Sequence, residues 1–117
     1  MLKEKRRESV LYSAKQLFSQ KGYYQTSIAD IVQHAGIARG TFYLYFDNKR
    51  QVFESILDLL LDEFKTLIRP IELDPGSPPP LAQLRDILRA VIGHALENRE
   101  LTQILLSRAE GLDREFD

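Results

Sequence analysis

The chain of 117 residues has 44% apolar and 28% charged side chains, a formal net charge of −1 and no cysteine. That length fits one domain, or a small module and part of a second, and the composition excludes disulfides, thiolate metal sites and cysteine nucleophiles. No apolar run approaches the ~20 residues of a membrane span and no apolar h-region follows the basic start MLKEKRRESV, so the expectation is a cytoplasmic protein without a membrane partner.

The small net charge conceals a division. Residues 1–50 hold nine Lys or Arg against four Asp or Glu, and residues 51–117 hold seven against thirteen. A basic end on a near-neutral chain suits an anionic partner, of which nucleic acid is the commonest large one; the plain alternative is a solvated N-terminal helix.

From Lys3 to Gln20 the apolar residues Val10, Leu11, Ala14, Leu17 and Phe18 recur at spacings of three and four, predicting a first helix with one buried stripe that stops at Gly22. In YYQTSIADIVQHAG, Ser27 followed three residues later by Asp30 has the spacing of a capping box. A second helix is predicted from there to about Ala35, with Ile28, Ile31 and Val32 inward and Ala29 small enough for a close neighbour. Gly36 suits a turn with positive φ, after which a third helix is predicted from about Ala38 to Leu44. Two short helices around a glycine have the form of a helix-turn-helix, whose second helix is offered to the DNA major groove.

Four aromatic rings crowd into Phe42, Tyr43, Tyr45 and Phe46. On a short helix Ile37, Phe42 and Phe46 come round to one side and serve as anchors, leaving Arg39, Thr41, Tyr43 and Tyr45 on the remaining surface. Gly40 inside a helix costs about 1 kcal/mol relative to alanine, so the expectation is that something such as a DNA backbone comes close there. On spacing alone two alternatives stand: the tyrosines pack under a neighbouring helix, or they form a hot spot for a protein partner.

Asp47 is placed to cap a fourth helix from near Asn48 to about Arg69, whose many apolar residues predict packing on two sides. PIELDPGSPPP, with five prolines in the chain's whole complement of 5, marks an exposed connection. Helix is predicted again from about Leu81 with an amphipathic stripe, and from Leu101 to Ala109 before Gly111. His34 and His94 are each single, without the spacing of a metal site, and no nucleophile triad, phosphate loop or dinucleotide fingerprint is present. No metal, cofactor or enzymatic role is therefore expected.

Chemically, Arg39 can reach guanine O6 and N7 with two parallel donors, and a threonine methyl can touch a thymine methyl. Lys3, Lys5, Arg6, Arg7 and Lys49, with the amides opening the second helix, suit phosphates.

The stretch TSIADIVQHAGIARGTFYLYFDNKRQVF resembles the DNA-binding segment of the tetracycline-repressor (TetR) family of bacterial transcriptional regulators. The resemblance implies an all-α fold: a three-helix, homeodomain-like helix-turn-helix domain over residues 1–47, then a connecting helix and the beginning of a helical ligand-binding and dimerisation domain over residues 48–117. Because family members are markedly longer, that second domain is expected to be incomplete at this length. The resemblance places phosphate contacts on Thr26 or Ser27, Tyr43, Tyr45 and Lys49, and base-edge contacts on Arg39, Gly40 and Thr41. Ala38 lies in the same contact stretch where a serine is frequent, and Asp47 stands where a lysine is frequent. Each departure removes one possible phosphate contact and implies weaker binding. The implied function is a sequence-specific repressor, acting as a homodimer on a palindromic double-stranded operator and answering to a small-molecule effector.

Overall fold

The computed structural model describes residues 2–115, with side chains described over residues 3–108. Six helices follow in order: α1 (Leu2–Lys21), α2 (Ile28–Ala35), α3 (Arg39–Phe42), α4 (Lys49–Leu67), α5 (Pro80–Glu97) and α6 (Arg99–Glu115), with no strand among the described residues. The chain forms two compact units, Met1–Asp58 and Leu59–Asp117, and α4 contributes residues to both.

In the first unit the stripe on α1 is buried as its spacing requires: Val10, Leu11, Ala14 and Phe18 lie in the core with Ile31 and Val32 of α2. Phe42 and Phe46 are sealed beneath α3, and Val52, Ile56 and Leu57 close the core from α4. Full burial of a phenylalanine of this kind stabilises the fold by roughly 1.5–3 kcal/mol. Ile37 is only partly buried, so the two phenylalanines do most of the anchoring. Ala29 is exposed. A buried Ser13 on α1 lies 2.9 Å from His34 Nδ1 on α2, a polar tie across the two helices.

The turns are set by local chemistry. Gly36 has φ 70° and ψ 34°, the left-handed geometry that closes α2, and its amide reaches the Gln33 and Val32 carbonyls. The expected cap of α4 shifts by one residue: Asn48, not Asp47, accepts the Gln51 amide at 2.8 Å, while Gln51 Oε1 accepts the Asp47 amide at 2.6 Å. Both residues are capping types, and the path of the chain out of Phe46 presents Asn48.

In the second unit the proline-rich connection is held by one side chain. Gln83 Oε1 accepts the Glu72 amide at 2.8 Å, and its Nε2 donates to the carbonyls of Glu72 at 2.9 Å and Pro78 at 2.7 Å. Pro80 occupies the first turn of α5, where its missing amide hydrogen costs nothing. Asn98 ends α5, its amide and side chain both donating to the His94 carbonyl, so the break falls earlier than expected and α6 begins at Arg99. The helix then runs to Glu115, past the predicted end at Ala109. On α5 only Ile87 is buried, while Leu81, Leu84, Leu88, Ile92 and Leu96 remain exposed. His94 packs edge-on to Phe64 with ring centroids 5.0 Å apart, and its Nε2 lies 2.6 Å from Glu63 Oε2. No group of His, Asp or Glu able to hold a metal occurs among the described residues, and no described helix is long and apolar enough to cross a membrane.

Candidate nucleic-acid interface

The N-terminus of α2 is built by three side chains. Asp30 Oδ2 accepts the Ser27 amide at 3.0 Å, the Asp30 amide donates to Ser27 Oγ at 3.0 Å, and Lys21 Nζ closes on Asp30 Oδ2 at 2.8 Å. Lys21 foremost, then the Ser27 amide, holds the Asp30 carboxyl down at about 2, below its ordinary 3.8. The ion pair balances the acid at this helix start, and Ser27 itself is exposed.

Four residues on, α3 consists of a single helical turn. Tyr43 keeps right-handed helical geometry, and the chain beyond it tightens into three-residue hydrogen bonds, Leu44 amide to Thr41 carbonyl and Tyr45 amide to Phe42 carbonyl. With Phe42 0% and Phe46 2% exposed, the element cannot rotate without opening the core. Its outer edge carries Ala38, Arg39 and Gly40, all exposed, with Thr41 partly so. Tyr43 is 46% exposed and stands edge-on to Phe42, with centroids 5.3 Å apart, so its ring is fixed and its hydroxyl end is free to meet a partner. Tyr45 is half-buried.

Gly40 has no positive φ, and a Cβ built on it would meet nothing within 4 Å. The fold therefore has no need of glycine at this position. The open space lies outside the chain, on the edge that Arg39 and Thr41 flank.

Two of the residues expected to contact phosphate also make hydrogen bonds within the chain. Thr26 is buried, 1% exposed, its hydroxyl donated to the Gly22 carbonyl at 2.8 Å and its amide to the Tyr23 carbonyl at 3.2 Å. Ser27 is the exposed residue of that pair. Lys49 Nζ donates to the carbonyls of Tyr23 at 2.7 Å and Thr26 at 3.0 Å and lies 4.1 Å from the Tyr23 ring centroid. Burial pushes the Tyr23 hydroxyl up from its ordinary value. The spacing of residues gives no hint of this cluster, because its partners are more than twenty residues apart.

Of the basic residues at the chain's start, Lys3, Lys5, Arg6 and Arg7 are exposed on α1. Arg7 also stacks over Phe46, 5.2 Å from its centroid. Asp47 and Asn48 are exposed beside Phe46.

Two short helices about a left-handed glycine, the second pinned from within and open on its outer edge, define a helix-turn-helix protein. Residues 10–56, from the first buried residue of α1 to the α4 core, match the sequence model described as bacterial regulatory proteins, tetR family. The chain is 39% identical over 61 residues to the uncharacterized HTH-type transcriptional regulator YfiR of Bacillus subtilis, covering 52% of this chain and 30% of that protein. It is 33% identical over 112 residues to the HTH-type transcriptional regulator AcrR of Shigella flexneri, covering 89% of this chain and 49% of the relative. Among solved structures, a TetR-family transcriptional regulator of Haemophilus influenzae superposes with a TM-score of 0.66 at 25% identity, over 85% of this chain and 53% of the other. The chain thus spans 30% to 53% of the length of these three proteins.

Proposed function

We propose that this chain is a sequence-specific DNA-binding transcriptional regulator that acts as a repressor. The observation that carries the reading is the outer edge of α3, where exposed Arg39 and Tyr43 flank a glycine whose open space the fold does not use. That edge has the size and chemistry to enter a major groove: a forked cation for guanine, a hydroxyl and methyl on Thr41, and a backbone that can come close at Gly40. Ser27, Tyr43 and Tyr45 serve as phosphate contacts that set register, and the basic residues of α1 add sequence-independent attraction. Repression follows from occupancy alone, since a protein seated on an operator obstructs other proteins there.

The regulator works as a homodimer on a palindromic operator, with two α3 edges in successive major grooves about 34 to 36 Å apart. A small molecule held by the helical part that begins with α4 releases it by favouring a state whose spacing misfits. The reading is of a binding protein of the cell interior, with no cofactor and no catalytic step.

Selection of bound sequences from random duplexes tests this. A palindromic consensus, with log K falling linearly in log salt, supports both the class and the symmetry. A single half-site supports DNA reading and removes the dimer. No enrichment at low ionic strength overturns the proposal, and affinity indifferent to salt points instead to a protein partner.

A further inference from the structure

Tyr24 is 90% exposed, more than any other large apolar side chain among the described residues. A lone surface ring needs no explanation by itself. This one, however, is not loose. Tyr24 and Gln25 form the middle of a turn that the Thr26 amide closes on the Tyr23 carbonyl at 3.2 Å, and the Tyr24 ring stands edge-on to Tyr23, with centroids 5.2 Å apart. Tyr23 in turn packs on Phe18 at 5.2 Å and on Phe53 at 5.1 Å, so a run of rings leads from the core to the surface and ends at Tyr24. A partner that meets this ring orders little that is not ordered already.

The surroundings of the ring select the chemistry of that partner. Lys49 Nζ lies 5.9 Å from the Tyr24 centroid. Two of its three N–H donors reach the Tyr23 and Thr26 carbonyls at 2.7 and 3.0 Å, which leaves one for an acceptor outside the chain. Ser27, exposed, follows three residues after Tyr24 and caps α2, and the acid at that cap, Asp30, is matched by Lys21 at 2.8 Å. Two hydroxyls and an ammonium that share one turn suit an anion, on the half of the chain that carries nine cations against four acids. An apolar protein patch would leave the ammonium donor unmet.

We infer that Tyr24 is a further contact to the DNA backbone: its hydroxyl donates to a phosphate oxygen of the strand that meets Ser27, and it reads no base. The inference rests on the DNA-binding reading. It adds a residue outside α3 and α4, held ready by core packing in the free protein. A phenol carries no charge, so its loss changes no counterion release: every duplex should bind about tenfold more weakly, with the salt slope and the consensus unaltered.

The test uses the full chain, a duplex from the selection above and Tyr24→Phe, which keeps the ring and its contact with Tyr23. The expected result is that uniform tenfold loss at an unchanged melting temperature. Methylphosphonates placed one at a time along each half-site then locate the contact. At one phosphate per half-site, neutralisation should weaken the wild type by about tenfold more than Tyr24→Phe, because the variant has no hydrogen bond there to lose. Binding of Tyr24→Phe within twofold of wild type overturns the inference and leaves the exposed ring to a protein partner. A loss that comes with a lower melting temperature, that varies with base sequence, or that singles out no phosphate overturns it as well. A wild type that binds no duplex removes the DNA reading and this contact together, whereas a wild type that binds beside an equally tight Tyr24→Phe removes the contact alone.

Discussion

Ser27 and Asp30 exchange hydrogen bonds at the start of α2, the amide of each meeting the side chain of the other at 3.0 Å. With Lys21 at 2.8 Å the acid gains a third partner, and its carboxyl is held at about 2 in place of 3.8. A depressed value in the folded state means that the stabilisation is present in full above the unfolded value and is lost as pH falls toward the folded one. The gap in melting temperature between wild type and Asp30→Asn should therefore be constant above about pH 5 and close between about pH 4 and pH 2. A gap of the same size at pH 2 and pH 6 would show that the ionised carboxylate adds nothing.

Thr26 supplies a second test, because its hydroxyl is buried and spent on Gly22. Thr26→Val keeps the shape and leaves that carbonyl short of a donor, which should cost about 1–3 kcal/mol in urea unfolding. The salt dependence of DNA binding should not change. A stable Thr26→Val protein with a reduced salt slope would return Thr26 to the phosphate contacts.

How much of this was legible follows from range. The α2 cap reads directly from Ser27 and Asp30 because both partners sit within one turn, and the buried stripe of α1 reads from its period. The extent of α3 does not: Ala38 to Leu44 is the expected span, yet α-helical geometry covers Arg39–Phe42, since sealing both Phe42 and Phe46 draws the chain into tighter turns. Thr26 and Lys49 carry no local mark of their roles. Their partners come from α1, the following turn and α4, and only the folded chain brings them together. The exposed leucines of α5 break the same rule in the other direction, since an amphipathic period fixes which face is apolar and not whether anything covers it.

Arg39 is exposed at the head of α3 and is the residue assigned to read a base. Arg39→Ala should cost about 1–3 kcal/mol on the preferred duplex and relax preference at one position of each half-site. Repeating the selection with the variant checks this; an unchanged consensus at every position would remove Arg39 from base reading.

Phe42 separates folding from recognition. It is 0% exposed, so Phe42→Ala should destabilise the chain by about 3–5 kcal/mol through the cavity it leaves. Any protein that remains folded should keep the wild-type consensus. A stable variant with altered sequence preference would mean that the ring is not the anchor its burial indicates.

Gly40 gives the sharpest separation, because fold and partner pull in opposite directions there. Its φ is not positive and a Cβ would meet nothing within 4 Å, so alanine is compatible with the folded chain. Alanine also loses less backbone entropy in a helical turn, and Gly40→Ala should leave stability unchanged or raise it by up to about 1 kcal/mol. A surface that approaches the backbone of α3 closely would collide with the added methyl, so affinity for the selected duplex should fall by tenfold or more, about 1.4 kcal/mol. No property internal to this chain couples a gain in stability to a loss of binding at this residue. Thermal melts paired with DNA titrations of the same preparation read both quantities, and a Gly40→Ala protein that is more stable and binds equally well would remove the close approach from which the α3 edge was argued.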